Sequence, residues 1–302
     1  MPNYDFVTVN VFTDQRFRGN PLAVIPDATG LSDDQMQAIA AEFNLSETTF
    51  VLPPADPRHH ARVRIFTRTS EIPFAGHPNV GTGYVLACMQ DNPPEHYTFE
   101  EIAGLVRVHI LRGADGAISG ARIAAPRSLS IDIGIPLEVV AACAGLADAD
   151  IATLLHTPLV ASVGTPFVIA EVASVEALSR ASPDLAAFRA AVTRFPDLAG
   201  RLSLYLYTWV GGEERRIRCR MFAPLGGTVE DPATGSAAAT LAALLTSLAP
   251  GDNVDLLYAI EQGVEMGRPS LIIASAVKTG EGPVSASVAG TCVPVMRGTL
   301  QV

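Results

Sequence analysis

The sequence predicts an α+β protein built from two similar units, and three observations carry that reading. One strand–turn–helix phrase is written once in each half: Arg64-x-Phe66, four residues, then EIPFAGHPNVGTGYVLA, and Arg220-x-Phe222, seven residues, then EDPATGSAAATLAALL. Aligned on the glutamates, Glu71 matches Glu230, Pro73 matches Pro232, Gly76 matches Gly235, and His77 falls opposite Ser236. The helices that follow, NVGTGYVLACM and AAATLAALLTSLA, are apolar nearly all round, which places each in the middle of a core. Around them, alternation of apolar and polar residues marks many short strands. A duplication of this kind implies two similar units facing one another, with equivalent helix starts available to build one site.

Composition bounds the possibilities. The 302 residues suffice for about two domains of ordinary size, and 48% hydrophobic content fills two cores. The formal net charge of -10 argues against nucleic acid or an anionic membrane as partner, because both reward clustered Lys and Arg. The opening MPNYDFVTVNVFT alternates like a strand and lacks the charged start and apolar block of a signal peptide. The longest apolar stretch, Ala237 to Ala249, is shorter than the roughly 20 residues a membrane helix needs. Cys88, Cys143, Cys219 and Cys292 are far apart, with no metal spacing and no disulfide framework. A soluble cytoplasmic protein with reduced thiols is expected.

In chain order, VTVNVF and PLAVIP read as a strand pair joined by the turn at Arg18 to Pro21. Ser32 is placed to cap a helix over DDQMQAIAAEF, which Asn44 ends. NLSE makes a tight connection into the strand TTFVLPP and leaves Glu47 at an element boundary, where functional side chains are often displayed. The first repeated phrase follows the strand Val63 to Phe66. A change of pattern near Ala124 to Ser128 marks the crossing to a second domain, so residues 1–125 and 285–302 are assigned to the first and 126–284 to the second. The second holds helices near Leu137 to Ala144 and Pro183 to Val192, strands near Phe167 to Val172 and Leu204 to Val210, and the second repeated phrase. The closing ASVAGTCVPVMRGTLQV reads as a strand pair returning to the N-terminal strands.

The helix starts carry the chemistry. Pro78 suits a first helical position, which makes His77 the expected cap and Gly76 the residue that lets a ligand approach the backbone. Ser236 or Thr234 is placed to cap the second helix. Free N–H groups and a partial positive charge at such helix starts bind carboxylates or phosphates; either motif alone reads first as the cap of a structural helix, and it is the duplication that favours a site. Glu47, Asp231, His77, Glu71 and Glu230 are the acid/base candidates. Among Leu45, Phe50 and Phe74, Glu47 is expected to have its pKa raised by desolvation; its local context alone reads as a solvated turn glutamate. Asp231 reads also as a helix-start carboxylate. The matched Glu71 and Glu230 point to a shared structural task, such as anchoring the turn before each helix. The other histidines show no metal spacing.

GNPLAV at Gly19 to Val24, NLSETTFV at Asn44 to Val51, IFT with EIPFAGHP at Ile65 to Pro78, EDPATGSA at Glu230 to Ala237 and QGVEMGRPS at Gln262 to Ser270 together resemble the phenazine-biosynthesis isomerase-like (PhzF-like) family, in order and across nearly the whole chain. The resemblance implies the diaminopimelate-epimerase-like fold: two similar domains, each a curved, mainly antiparallel sheet around a central helix, with the active site in the cleft between them. It implies that Glu47 is the general acid/base, supported by Gly76, His77, Asp231, Gly235 and Ser236. It implies isomerisation of trans-2,3-dihydro-3-hydroxyanthranilate, a proton leaving ring carbon 3 and another arriving at carbon 1, with no cofactor or metal, in a homodimer. Ser236 and its helix N–H groups are then expected to hold the carboxylate, with His77 and Asp231 polarising the hydroxyl and amino side. The chain departs from the family's common pattern at Asn79-Val80, where Thr-Leu is usual, and at Arg68, where proline is usual.

Related epimerases use two thiols near the two helix starts, and neither AGHPNVG nor PATGSA contains cysteine. One carboxylate is therefore left as the proton carrier. The alternatives are a carboxylate-based epimerase or lyase acting on another cyclic or amino acid, and a non-catalytic protein that binds a small acid. Deuterium exchange at an α-carbon or loss of water marks the former; for the latter, Glu47→Gln leaves affinity unchanged.

Overall fold

The computed structural model describes residues 2–198, 200, 202–212, 214–280 and 282–302. The chain divides into two compact units, Met1–Pro126 with Ser287–Val302, and Arg127–Ala286.

The first unit contains β1 (Asn3–Val11), β2 (Asn20–Ile25), α1 (Asp33–Phe43), β3 (Glu47–Leu52), β4 (Ala61–Phe66), β5 (Glu71–Ile72), α2 (Gly76–Cys88), β6 (His96–Glu101), β7 (Gly104–Arg112) and β8 (Ile118–Ala124), with most of the C-terminal strand Ser285–Gln301. Hydrogen bonding runs β1 to β2 to β3 to β4 to β6 to β7 to β8, then through the C-terminal strand back to β1. The sheet therefore closes on itself. Only β2–β3 and β4–β6 are parallel in that ring. The closing segment, expected as a strand pair, is one continuous strand: its GTC stretch carries no turn chemistry, and it pairs with β8 along its first part and with β1 along its second.

Inside the ring lies α2, buried from Gly76 to Val85. Its glycines explain how a helix fits there. A Cβ on Gly81 would sit 2.6 Å from Leu22 Cδ2, and one on Gly83 would sit 2.6 Å from Val108 Cγ1, so the helix approaches β2 and β7 more closely than alanine permits. Thr82, buried among these contacts, shares a 2.8 Å hydrogen bond with Thr49, which satisfies both hydroxyls. Outside the ring, α1 covers Ile25, Phe50 and Phe66 with Met36 and Ala40. Ser32 caps it through a reciprocal bond with Gln35, and Asn44 ends it in the left-handed region. That stop feeds β3 after a short turn, so Glu47 is the strand's first residue.

The second unit repeats the scheme. It contains β9 (Ser130–Gly134), α3 (Leu137–Ala144), β10 (Ile151–Ala152), β11 (Leu159–Ser162), β12 (Pro166–Val172), α4 (Val175–Arg180), α5 (Leu185–Arg194), β13 (Leu204–Trp209), β14 (Arg216–Ala223), β15 (Thr228–Asp231), α6 (Gly235–Leu248), β16 (Asn253–Gln262) and β17 (Ser270–Thr279). As in the first unit, a parallel pair (β12–β13) precedes an antiparallel pair (β13–β14), a short antiparallel strand (β15), and a second parallel pair (β14–β16). The helix α6 is buried along nearly its whole length, while α3, α4 and α5 pack on a separate outer core around Leu178 and Phe188.

Candidate active site

Each repeated phrase builds the same anchor. In the first unit Arg64 grips Glu71 with Nε at 2.7 Å and Nη2 at 2.6 Å, and its guanidinium lies 5.1 Å from the Phe66 ring centre. In the second, Arg220 grips Glu230 with both contacts at 2.8 Å and lies 4.8 Å from the Phe222 ring centre. A fork-to-fork pair over an aromatic face is planar and directional. Glu71 and Glu230 are thereby committed to tying each turn to the preceding strand.

The start of α2 holds the first group of candidates. Ala75, extended, is the cap position without a side-chain bond, Gly76 is the first helical residue, and His77 and Pro78 lie inside the first turn. His77 is thus not the cap. Its ring turns inward because the side of the helix it occupies faces buried residues, and Asn79 Nδ2 instead donates to Ala75 O at 3.0 Å. His77 Nε2 lies 3.3 Å from Glu47 Oε2, and its Nδ1 lies 3.3 Å from the amide nitrogen of fully buried Asn20. Burial pushes the imidazole down to about 3, because desolvation penalises the charged form. The ring is therefore neutral near pH 7. With Asn20 donating to Nδ1, the tautomer assigned by this network carries its proton on Nε2, which lies close to Glu47 Oε2 but outside hydrogen-bond geometry.

The second group surrounds the start of α6. Asp231 is the last residue of β15 and buried; Gly235 and half-buried Ser236 open the helix. Neither expected capping side chain bonds the helix amides: Thr234 stands at the cap position, but its Oγ1 donates to Asp231 Oδ2 at 2.6 Å. The hydroxyl oxygen that would accept from a helix amide instead accepts from Gln262 Nε2 at 3.0 Å. Gln262 also accepts from Thr234 N at 3.1 Å and donates to Asp231 O at 2.8 Å, while Tyr205 OH donates to its Oε1 at 3.2 Å. Gly263, with φ +74°, lets the chain pass Pro232; a Cβ there would meet Pro232 O at 2.6 Å. Ser270 Oγ also donates to Pro232 O, at 2.9 Å. The QGVEMGRPS block is thus a cradle for the Asp231–Thr234 turn.

Asn20, Gln262 and Tyr205 had no role assigned from the sequence, and Thr234 was assigned only a cap. Asn20 and Gln262 fall inside recognisable blocks, GNPLAV and QGVEMGRPS, and that was the available signal. None of the four thiols is at a helix start; Cys219 and Cys292 are buried, and burial pushes both thiols well up. Among the described residues no helix is long and apolar enough to cross a membrane.

Two sheet-wrapped buried helices, one with a neutral imidazole against a carboxylate at its start, define a protein of the epimerase-like α+β fold. Residues 9–298 match the family described as phenazine biosynthesis-like protein. The chain belongs to that family. It is 40% identical over 306 residues to an uncharacterized isomerase of Mesorhizobium japonicum, covering 99% of each chain. It is 36% identical over 302 residues to the trans-2,3-dihydro-3-hydroxyanthranilate isomerase of Pseudomonas chlororaphis, covering 98% of this chain and 99% of the relative. Among solved structures, the phenazine biosynthesis protein of the PhzF family from Bacillus anthracis superposes with TM-score 0.85 at 24% identity over 100% of both chains. A hydroxyproline epimerase from Agrobacterium vitis shares the fold, with TM-score 0.59 at 13% identity over 99% of this chain and 92% of that one.

Proposed function

We propose that this isomerase moves a proton within a small cyclic carboxylic acid, with Glu47 as the acid/base, and that trans-2,3-dihydro-3-hydroxyanthranilate is its substrate. The observation that carries the reading is the 3.3 Å contact between Glu47 and the neutral His77. A neutral imidazole packed this close to a carboxylate needs only a small adjustment to donate to it, and the second carboxylate oxygen is left to work as base. A relative that matches 98% of the chain and bears that substrate's name supports the choice of acid.

In the proposed reaction Glu47 takes the proton from ring carbon 3 and the C–H electron pair moves into the ring. A proton is then delivered to carbon 1, so the diene shifts and the enol at carbon 3 relaxes to a ketone. Glu47 begins and ends ionised, and the atoms balance without an oxidant or reductant. Gly76, Asp231, Gly235 and Ser236 take the supporting roles: Ser236 and the free N–H groups at the start of α6 hold the substrate carboxylate, and Asp231 receives the amino group. A cytoplasmic enzyme with free thiols, acting as a homodimer, completes the proposal.

The test is NMR of the substrate with the purified protein in deuterated water, wild type beside Glu47→Gln. Loss of the carbon 3 proton and deuterium at carbon 1, both abolished by Glu47→Gln, support the reading. Absence of turnover by the wild type refutes the substrate. Undiminished turnover by Glu47→Gln refutes the role of Glu47.

A further inference from the structure

Glu101 is a carboxylate in an unexpected place. It ends β6, whose buried residues Tyr97 and Phe99 alternate on the same face. Both its oxygens are shielded from water, and among the described residues no hydrogen bond of normal geometry reaches either. The β6–β7 turn just beyond it is fastened to the EIPF segment by Ala103 N donating to Pro73 O at 3.1 Å. The polar group that bears on it is the side chain of Asn79, in the first turn of α2.

The duplication says what this position is for. In the second unit Cys219 of β14 pairs with Gln262 of β16. In the first unit Ala61 and Arg62 of β4 pair with Phe99 and Glu100 of β6, and one further step sets Val63 beside Glu101. Arg64 and Arg220 correspond, so Val63 corresponds to Cys219, and Glu101 to Gln262. Gln262 is the residue that ties the turn before α6 to the sheet. A glutamate in the same place has glutamine's shape, but it can both donate and accept as glutamine does only when it carries a proton.

We propose that Glu101 works as an un-ionised carboxyl, the counterpart in the first unit of Gln262, and is the positioning residue that pins the first turn of α2 through Asn79. Asn79 Nδ2 spends one hydrogen on Ala75 O, and its Oδ1 is buried without a partner among the described residues. The carboxyl O–H donates to that Oδ1, and the carboxyl C=O accepts the second Nδ2 hydrogen. Ionised, the group would set two acceptors against each other away from water.

The surrounding charges do not oppose this. On β4, Arg62 is exposed and Arg64 is bound to Glu71 of β5. On β6, Glu100 is taken by His59 and the amides of Ala55 and Asp56. On β7, Arg107 and His109 are exposed. On α2, His77 is neutral, and Tyr84 and Cys88 lie more than a turn beyond Asn79. Burial pushes the carboxyl up to about 8.

The experiment is a carbon-detected NMR titration of the protein labelled at glutamate Cδ, the Glu101 resonance being the one lost in Glu101→Gln. We expect it to keep the carboxylic-acid shift through neutral pH and to move toward the carboxylate shift only near 8. Amide exchange at residues 76, 77 and 79 is expected to be unchanged in Glu101→Gln and at least about tenfold faster in Glu101→Ala, or in Asn79→Ala should the former fail to fold. A Glu101 signal that titrates with the other glutamates near 4.5 overturns the proposal. So does unaltered exchange in both alanine variants. No readout uses a substrate, so the outcome is independent of the isomerase assay.

Discussion

Replacing Glu101 by glutamine is expected to stabilise the protein, and by an amount that grows with pH. The carboxyl moves from the usual 4.5 to about 8 on folding because it is buried. The folded state therefore holds a proton that the unfolded chain releases. Stability owed to that proton is fully present below about 4.5 and drains away as pH rises through 8. The slope is about 1.4 kcal/mol per pH unit, and the interval is about 3.5 units, so the wild type loses roughly 4 to 5 kcal/mol from this one group. Glu101→Gln has nothing to titrate. Its stability should match the wild type near pH 4.5 and exceed it by roughly 4 kcal/mol above pH 8. The assay is urea unfolding at a series of pH values, followed by far-UV circular dichroism, because the single tryptophan, Trp209, lies in the second unit. Parallel stability curves for the two proteins would refute the reasoning, as they would show Glu101 titrating alike in both states.

Three other outcomes follow from the packing. Gln262→Leu strands the Thr234 amide, the Asp231 carbonyl and the Tyr205 hydroxyl, at about 1 to 3 kcal/mol for each buried group, whereas Tyr205→Phe removes one bond and should cost about 1 kcal/mol; paired denaturant titrations check the difference. Gly81→Ala forces a methyl to 2.6 Å from Leu22 and should cost roughly 1 to 3 kcal/mol by overpacking, read as a lowered thermal midpoint. Arg220 is buried and also donates to the carbonyls of Leu178 and Ala181, so Arg220→Lys, which keeps the charge but loses the fork, should destabilise by roughly 1 to 3 kcal/mol, and by more than Arg64→Lys, whose further partner Asp33 is exposed.

Much of this was legible in the chain. The α1 cap at Ser32, its stop at Asn44 and the display of Glu47 at the head of β3 all follow from local chemistry acting over a few residues. So did the shared duty of Glu71 and Glu230, because a matched pair of glutamates beside a matched pair of arginines repeats one local device. The caps of α2 and α6 were misjudged. Capping rules compare a side chain with the nearest free amides, and here the His77 ring lies against Glu47 of a distant segment, while Thr234 is held by Asp231 three residues back and by Gln262 of a distant strand. The single C-terminal strand was misread for a similar reason: it changes partner midway, from β8 to β1, without changing direction.

The sequence by itself determined the duplication, the two helices that must be buried, and the family, because these depend on residue types and their spacing along the chain. Only the tertiary structure decided protonation and pairing. Whether His77 is neutral, which of its nitrogens faces Glu47, and that Glu101 stands where Gln262 stands in the other unit are set by desolvation and strand register. Both are properties of what surrounds a side chain in space, and neighbours in space are not neighbours in the chain.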